Sequence, residues 1–327
     1  MIHVEDKTLV LPDGRTLAYA DNGNTSSSDL VLYFHGAFSV ADANRLPRVL
    51  LERNVHFIAP TLPGWGKSSP VPCSRYAATL AADITALITH LHPHTRTPLR
   101  LYLCAHALGT VPAQILYGLA HDAFPLGRRL AALVLLSPLS PPHLHTAYAR
   151  ALPWPAYLLA GPPSRYAPFN LLAHLARLCI ANLLASDSAA EDFIRRHTID
   201  PMDDDERDAF AAWRDEHALA PAQFERALAR NASRSVAHSW RGFLDFPALY
   251  HSGWGGFAPH TIESTCPVLV VSPQNDRLMP REAAQWLVST YNYARLKTIP
   301  GSHLASFFHL DDIWDQVFAM ESDPEYT

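Results

Sequence analysis

One stretch of the sequence has the residue sizes that a tight turn at a reactive site requires. Residues 101–113, LYLCAHALGTVPA, run apolar, reach small residues at Ala105 and Gly109, and resume with a helix-forming pattern. A strand, a sharp turn and a helix in this order can present the central residue as a nucleophile, usually the serine of G-x-S-x-G. The central residue here is Ala107, which has no lone pair, so the turn predicts a nucleophile position without a nucleophile.

Other clusters of polar residues fit a metal site poorly. The acidic run at 200–208, DPMDDDERD, lacks the glycine and the terminal glutamate of a calcium loop. It is better explained as the start of a helix, where the helix dipole favours negative charge. His90, His92 and His94 have no cysteine or carboxylate beside them, and we expect them to be exposed loop residues. We therefore expect no metal and no cofactor.

Composition restricts the class of partner. The 327 residues are 48% hydrophobic and carry a net charge of −5, without a basic stripe that would indicate nucleic acid binding. We expect no secretory signal, because the first residues do not combine a basic stretch with a following apolar core. We also expect no membrane span, because no apolar run is long enough for one. We expect a cytoplasmic protein whose partner is a small-molecule substrate, with neither nucleic acid nor a membrane, and we leave a homodimer open.

Short apolar runs alternate with helical patterns over most of the chain. An Asp-Gly turn predicts a hairpin of two strands within 8–21. Further strands are predicted at 30–36, 55–64, 99–105, 130–138, 267–276 and 294–303. Helical patterns lie at about 40–53, 75–91, 108–120, 281–291 and 304–319, and we expect Asp83 in the second of them to be solvated. The alternation predicts a mainly parallel sheet with helices on both faces.

The alternation stops at Pro138, and no strand pattern returns before about residue 265. Within this segment, 170–185 has apolar residues at helical spacing and few basic residues, so its apolar stripe is expected to face the core or a pocket. The sequence thus predicts a core formed by 1–137 and 266–327, with a helical cap inserted at 138–265.

Five motifs follow one another at the ends of predicted strands. They are HGAF (35–38), PTLPGWGKS (60–68), AHALGT (105–110), SPQNDRLMP (272–280) and PGSHLAS (300–306). In this order they make the whole chain resemble the α/β-hydrolase fold superfamily, of the serine hydrolase type with a helical cap. The chain departs from the pattern at Thr61, where the family usually has Asp, and at Ala107, where it usually has the nucleophilic serine.

The resemblance implies a role for each motif. His303 would be the general base, and Asp276 would orient its ring and stabilise the imidazolium. The backbone N–H groups of Ala37 and Leu108 would form the oxyanion hole. With a serine at position 107, this set would hydrolyse an ester, a lactone or a thioester.

Aromatic residues of the motifs and the cap suggest a bulky, mostly apolar substrate, for example a secondary metabolite. The candidate substrate-binding residues are Phe38, Trp65, His106, Trp154 and Trp240. Packing under the cap explains Phe38 and Trp65 equally well, and packing explains His106 better than service as a second base.

Three explanations of Ala107 stay open. In the first, the chain is an inactive Ser→Ala form of a serine hydrolase, and the missing nucleophile lowers kcat by about 10⁶-fold. In the second, His303 and Asp276 perform acid–base chemistry without a covalent step, for example a cyclisation. In the third, the chain is a hydrolase-like ligand receptor. We favour the first, because both partners of the nucleophile are retained. Peroxidase, epoxide and C–C bond chemistry also stay open.

Overall fold

The computed structural model describes residues 4–44, 46–93 and 98–323. Eight strands form one sheet in the order β1-β2-β4-β3-β5-β6-β7-β8. The pairs β1–β2 and β2–β4 are antiparallel, and every other pair is parallel. The strands are β1 Lys7–Val10, β2 Thr16–Asp21, β3 Asp29–Phe34, β4 His56–Pro60, β5 Arg100–His106, β6 Leu130–Leu136, β7 Val268–Pro273 and β8 Ala294–Ile299. The predicted mainly parallel sheet and its N-terminal hairpin are confirmed.

Helices cover both faces of this sheet, as continuous apolar strands require. The core on one face contains residues of α2 (Tyr76–Leu91), α3 (Thr110–Gly118) and α11 (Arg281–Thr290). The core on the other face contains residues of α1 (Arg48–Glu52) and α12 (Leu310–Glu321). Both faces of the central strands are therefore withdrawn from water, which explains why these strands are apolar runs without alternation.

The first predicted helix is much shorter than its sequence pattern. Instead of 40–53, it begins at Arg48, directly after Pro47. The preceding residues are used elsewhere, because Asp42 forms a β-bridge with Val4 and the Ala41 N–H donates to Thr61. Tertiary contacts of the loop after β3 thus replace the first half of the predicted helix.

Two residues that the sequence places in solvent are buried. Asp83 is 4% exposed and accepts two hydrogen bonds from Arg15, at 2.5 and 2.8 Å. His92 is 8% exposed, and its Nε2 lies 2.8 Å from Nδ1 of His56. Both partners come from distant positions in the chain, so local sequence could not indicate them. His90 is exposed as expected, and His94 lies outside the described residues.

Between β6 and β7, a segment that is described throughout, helices are the only regular secondary structure. From here on, cap denotes the helical part of the predicted insertion 138–265, which is residues 154–250. Its helices are α4 Trp154–Ala160, α5 Pro162–Tyr166, α6 Leu171–Ala181, α7 Asp187–Ile194, α8 Asp204–Glu216, α9 Gln223–Ala237 and α10 Arg241–Tyr250.

The apolar stripe of α6 points outward, which corrects the expectation that it faces the core or a pocket. Leu171, Leu175 and Leu178 are 49%, 50% and 71% exposed. The inward face carries Ala173, which is fully buried in the core cluster of the face that carries α2 and α3, and α6 also contacts α10.

None of the helices formed by the described residues could cross a membrane alone. The segments Pro168–Leu184 and Asp187–Ile199 meet the length and composition criteria only as a pair, and they meet at a bend of 109°.

Candidate active site

The turn at Ala107 connects β5 directly to α3, and this confirms the predicted strand–turn–helix. Ala107 has φ +49°, in the left-handed region that is unfavourable for a residue with a Cβ, and it starts a 3-10 turn that ends at Gly109. A Cβ placed on Gly109 would lie 2.3 Å from the carbonyl oxygen of Phe34. A side chain there would collide with the end of β3, so glycine lets the turn pack against the sheet.

The loop after β3 lies against this turn. A Cβ placed on Gly36 would be 3.5 Å from the Cβ of Ala107, so the two backbones are close neighbours. His35 holds the loop: its Nδ1–H donates to the Gly36 carbonyl at 2.8 Å, and its Nε2 accepts from the Leu62 N–H at 3.0 Å. Burial lowers the pKa of His35 to about 4, so the ring is neutral at pH 7, as these two hydrogen bonds require.

Asp276 and His303 form a hydrogen-bonded pair. Nδ1 of His303 lies 2.9 Å from Oδ2 of Asp276, and because a carboxylate only accepts, the Nδ1 carries the proton. The second oxygen of Asp276 accepts from the N–H groups of Leu278 and Met279 at 2.9 and 3.0 Å. Burial alone would raise the pKa of this carboxyl, but the neighbouring His303 and these hydrogen bonds hold it at about 2. The carboxylate is therefore charged at pH 7.

His303 lies beside the turn at Ala107, because its ring contacts the ring of His106, the residue before Ala107. The rings of His303 and His106 have centroids 4.6 Å apart, and the ring of Phe307 contacts His106 at 4.9 Å. Burial, followed by the neighbouring His303, lowers the pKa of His106 to about 3, so it is neutral at pH 7. The structure thus brings the turn, the loop after β3 and the Asp276–His303 pair together at the carboxyl ends of parallel strands.

Several solved structures of hydrolases are similar to this chain over almost its whole length. The chain is similar to an esterase from Exiguobacterium antarcticum, with 15% identity and a TM-score of 0.57 over 97% of this chain and 99% of that chain. It is also similar to an epoxide hydrolase from Vigna radiata, with 19% identity, a TM-score of 0.60 and 97% of each chain covered. An enol-lactonase from Burkholderia xenovorans matches with 13% identity and a TM-score of 0.55, over 97% of this chain and 100% of that chain. This chain has the α/β-hydrolase fold. No protein-family model matches it, and no curated protein matches it either.

Within this hydrolase fold, four aromatic rings form a cluster at the loop after β3, to which Phe38 belongs. Phe38, at φ +51°, contacts Trp65 at 5.7 Å, Trp240 at 6.3 Å and Phe243 at 5.1 Å between ring centroids. Trp65 is only 2% exposed, and a Cβ on Gly242 would be 2.4 Å from its ring. Three of the predicted substrate-binding residues are thus brought together, and the cluster joins the loops after β3 and β4 to the cap, which supplies Trp240 and Phe243.

Trp154 is not part of this cluster. It is 69% exposed at the start of α4 and stacks on Tyr157 at 6.0 Å. Aromatic character alone could not separate a residue of the outer cap surface from one that lines the site, because both kinds occur in the same helical segment.

A cavity of about 110 Å³ opens between the cap and the face of the sheet that carries α12. It reaches Phe307, the residue whose ring contacts His106. None of the five predicted substrate-binding residues lines it, so sequence reasoning missed this cavity. Its lining comes from five separate parts of the chain, and no single stretch carries a signal for it; among the lining residues are Tyr33, Asp42, Cys104, Trp213, Asn231 and Phe307.

Thr61, one of the two departures from the family pattern, has a structural role in this chain. It is fully buried, and its hydroxyl oxygen accepts from the Ala41 N–H at 2.9 Å. The Ser68 hydroxyl donates to the Thr61 carbonyl at 2.8 Å. The carboxylate of Glu5 accepts from the Lys67 N–H at 2.6 Å in the same loop. The loop after β4 is therefore tied to the loop after β3 without an aspartate at position 61.

Proposed function

We propose that the site is that of a hydrolase acting on an ester, lactone or thioester of a bulky, mostly apolar small molecule, in a form that lacks its nucleophile. The observation that carries the proposal is the φ of +49° at Ala107 beside an intact Asp276–His303 pair. An alanine gains nothing from this strained conformation, whereas a nucleophile at the apex of the turn would be presented by it. Hydrolysis as the reaction class is supported by the esterase and the enol-lactonase that share the fold.

A serine at position 107 would complete the reaction path. Its hydroxyl would attack the carbonyl carbon while Nε2 of His303 takes the proton, and the N–H groups of Ala37 and Leu108 would stabilise the oxyanion. Protonated His303 would then release the alcohol or thiol, and water would hydrolyse the acyl group by the reverse roles. A mostly apolar substrate is supported by the rings of Phe38 and Trp240, which lie at the loop after β3 and are only partly buried.

The test is the A107S variant. A fluorophosphonate probe, which reacts with base-activated serines, should label A107S at position 107 and leave the parent chain unlabelled there, as intact-mass and peptide analysis would show. Turnover of activated esters, thioesters and lactones should rise by at least about 10³-fold. The double variant A107S/H303A should lose both signals, because the hydroxyl loses its base. Ala209→Ser, on the exposed side of α8, is the matched control for an added hydroxyl.

A second function is favoured by one observation: the Asp276–His303 pair is complete and its carboxylate stays charged although no nucleophile is present. In this alternative, His303 acts as a general base without a covalent intermediate, for example in a cyclisation. Rapid turnover by the parent chain, lost in H303A and not raised in A107S, would establish it. Tight binding of a carbonyl compound without turnover by either form would instead indicate a receptor.

A further inference from the structure

One carboxylate of the acidic run at 200–208 has a feature that its position at the start of a helix does not explain. It does begin α8, as the sequence predicts, because the Asp203 carboxylate accepts from the Glu206 N–H at 2.9 Å as an N-cap. Glu206, however, is only 6% exposed, which is rare for a glutamate in a first helical turn. A buried carboxylate needs hydrogen-bond donors, so its partners show what the burial serves.

Glu206 binds the loop that carries His303. Its Oε1 accepts from both the N–H and the hydroxyl of Ser302, each at 2.7 Å. A Cβ placed on Gly301 would lie 3.0 Å from the same oxygen, and Gly301 has φ +92°. The backbone before His303 is therefore shaped to let the cap carboxylate approach.

The residue after His303 is held by the cap as well. Leu304 is 7% exposed and belongs to an apolar cluster with Met202, Phe210 and Phe224, which all come from the cap. Both chain neighbours of His303 thus contact residues of the cap, one through hydrogen bonds and one through packing.

The loop that carries Asp276 contacts both the loop of His303 and the start of α8. The Asn275 N–H donates to the Gly301 carbonyl at 3.0 Å, and its side-chain amide donates to the Asp203 carboxylate at 3.2 Å. The Asn275–Asp203 contact is exposed and contributes less than the buried bonds of Glu206. The first turn of α8 therefore touches the residue that precedes the acid and the residue that precedes the base.

We propose that Glu206 is a positioning residue for His303, and that the docked cap holds the Asp276–His303 pair in its productive geometry. The role of His303 as a base rests on the proposed hydrolase function. The hydrogen bonds from Ser302 to Glu206, which hold the loop of His303, do not depend on it. The cap would then do more than cover a substrate, because its undocking would release the base as well as open the site.

The first measurement is hydrogen–deuterium exchange of the parent chain, which needs no activity. Glu206→Ala should accelerate exchange in peptides covering 300–306 by about tenfold or more, because two hydrogen bonds to Ser302 are lost. Glu206→Gln keeps an acceptor oxygen and should stay near the parent. Glu225→Gln changes another buried carboxylate of the cap, for which the described residues show no bond to either loop, and should leave 300–306 unchanged.

The second measurement uses the A107S background with an activated ester. Glu206→Ala should lower kcat by about 10- to 100-fold while KM changes by less than about threefold, because a misplaced base slows the chemistry more than binding. Glu206→Gln should recover most of kcat. An unchanged kcat with unchanged exchange at 300–306 would overturn the proposal. So would a loss of activity matched by faster exchange throughout the cap, which would indicate general destabilisation. If A107S itself is inactive, the proposed function fails, and the exchange result alone decides whether Glu206 holds the loop.

Discussion

The turn at Ala107 and the loop of His303 meet in one site, but different parts of the molecule hold them. The turn is held by the sheet: Gly109 packs on the end of β3, and His35 fixes the loop that lies against Ala107. The loop of His303 is held by the cap, through Glu206 and the cluster around Leu304. The difference implies that the nucleophile position and the base can be disturbed separately, and each prediction below tests one side.

The largest expected effect is on the base side. In the A107S background, Asp276→Asn should lower kcat by about 10⁴-fold, because the amide no longer holds the His303 ring in the tautomer with Nε2 as acceptor. The turn should be unaffected, so the free energy of unfolding should change much less than the activation barrier. Steady-state kinetics together with urea unfolding measure the two quantities. A loss of less than tenfold in kcat would show that another group orients His303.

The next effect is on the turn. Gly109→Ala should lower the free energy of unfolding by about 3 kcal/mol, because the new Cβ would lie 2.3 Å from a backbone oxygen that cannot move without shifting β3. Gly14→Ala is the control. Gly14 has φ +84° and no atom near the added Cβ, so its variant shows the left-handed backbone cost alone, about 1–2 kcal/mol. Gly109 has φ −61° and carries no such cost, so its loss of stability would come from the collision. Equal stability of Gly109→Ala and the parent in urea unfolding would contradict the packing of the turn on the sheet.

The two sides also differed in what the sequence could predict. The turn was predictable because small residues, an apolar strand and a helix follow one another within 13 residues, at 101–113. The support from the cap was not, because Glu206 and Ser302 lie 96 positions apart and each looks ordinary in its own surroundings. The acidic run predicted the start of α8 correctly, but burial of one of its carboxylates depends on tertiary packing.

The same dependence on tertiary packing explains why the buried face of α6 was predicted wrongly. The apolar spacing of α6 identified a helix but not which face is buried, since Ala173 on the other face packs instead of the leucines. The pattern of strands and helices was sufficient for the sheet, because central strands such as β3, β5 and β7 are mostly apolar over their own length. The cavity, lined from several elements, had no local pattern at all.

A smaller effect concerns pH and involves two buried histidines on the side of the turn, His35 and His106. Their pKa values are lowered from 6.5 to about 4 and about 3 by burial. Below about pH 6.5 the unfolded chain therefore binds protons that the folded chain does not, and stability falls as pH falls. Each histidine should contribute a slope of up to about 1.4 kcal/mol per pH unit.

His106→Phe isolates one of these contributions. Urea unfolding between pH 6.5 and 4 should show a slope smaller by up to about 1.4 kcal/mol per pH unit than in the parent, whatever the effect of the substitution at pH 8. Groups that do not contact His106 are unchanged by the substitution, so their contributions cancel in the difference. Identical slopes would show that His106 takes up a proton in the folded state, so that it is not the buried neutral ring beside His303.

The smallest effect belongs to the part of the cap that does not touch either loop of the site. Leu178 lies on the outward face of α6 and is 71% exposed. If the cap acts on His303 through the first turn of α8, Leu178→Gln in the A107S background should leave kcat within about twofold. It should also change the free energy of unfolding by less than about 0.5 kcal/mol, because little apolar area is lost. Ala173→Leu, on the buried face of the same helix, is the matched comparison and should cost about 1–3 kcal/mol by overpacking the core cluster that contains Ala173. A loss of kcat in Leu178→Gln at unchanged stability would mean that the cap transmits changes from its outer surface to the base, and the hold on His303 would then extend beyond the first turn of α8.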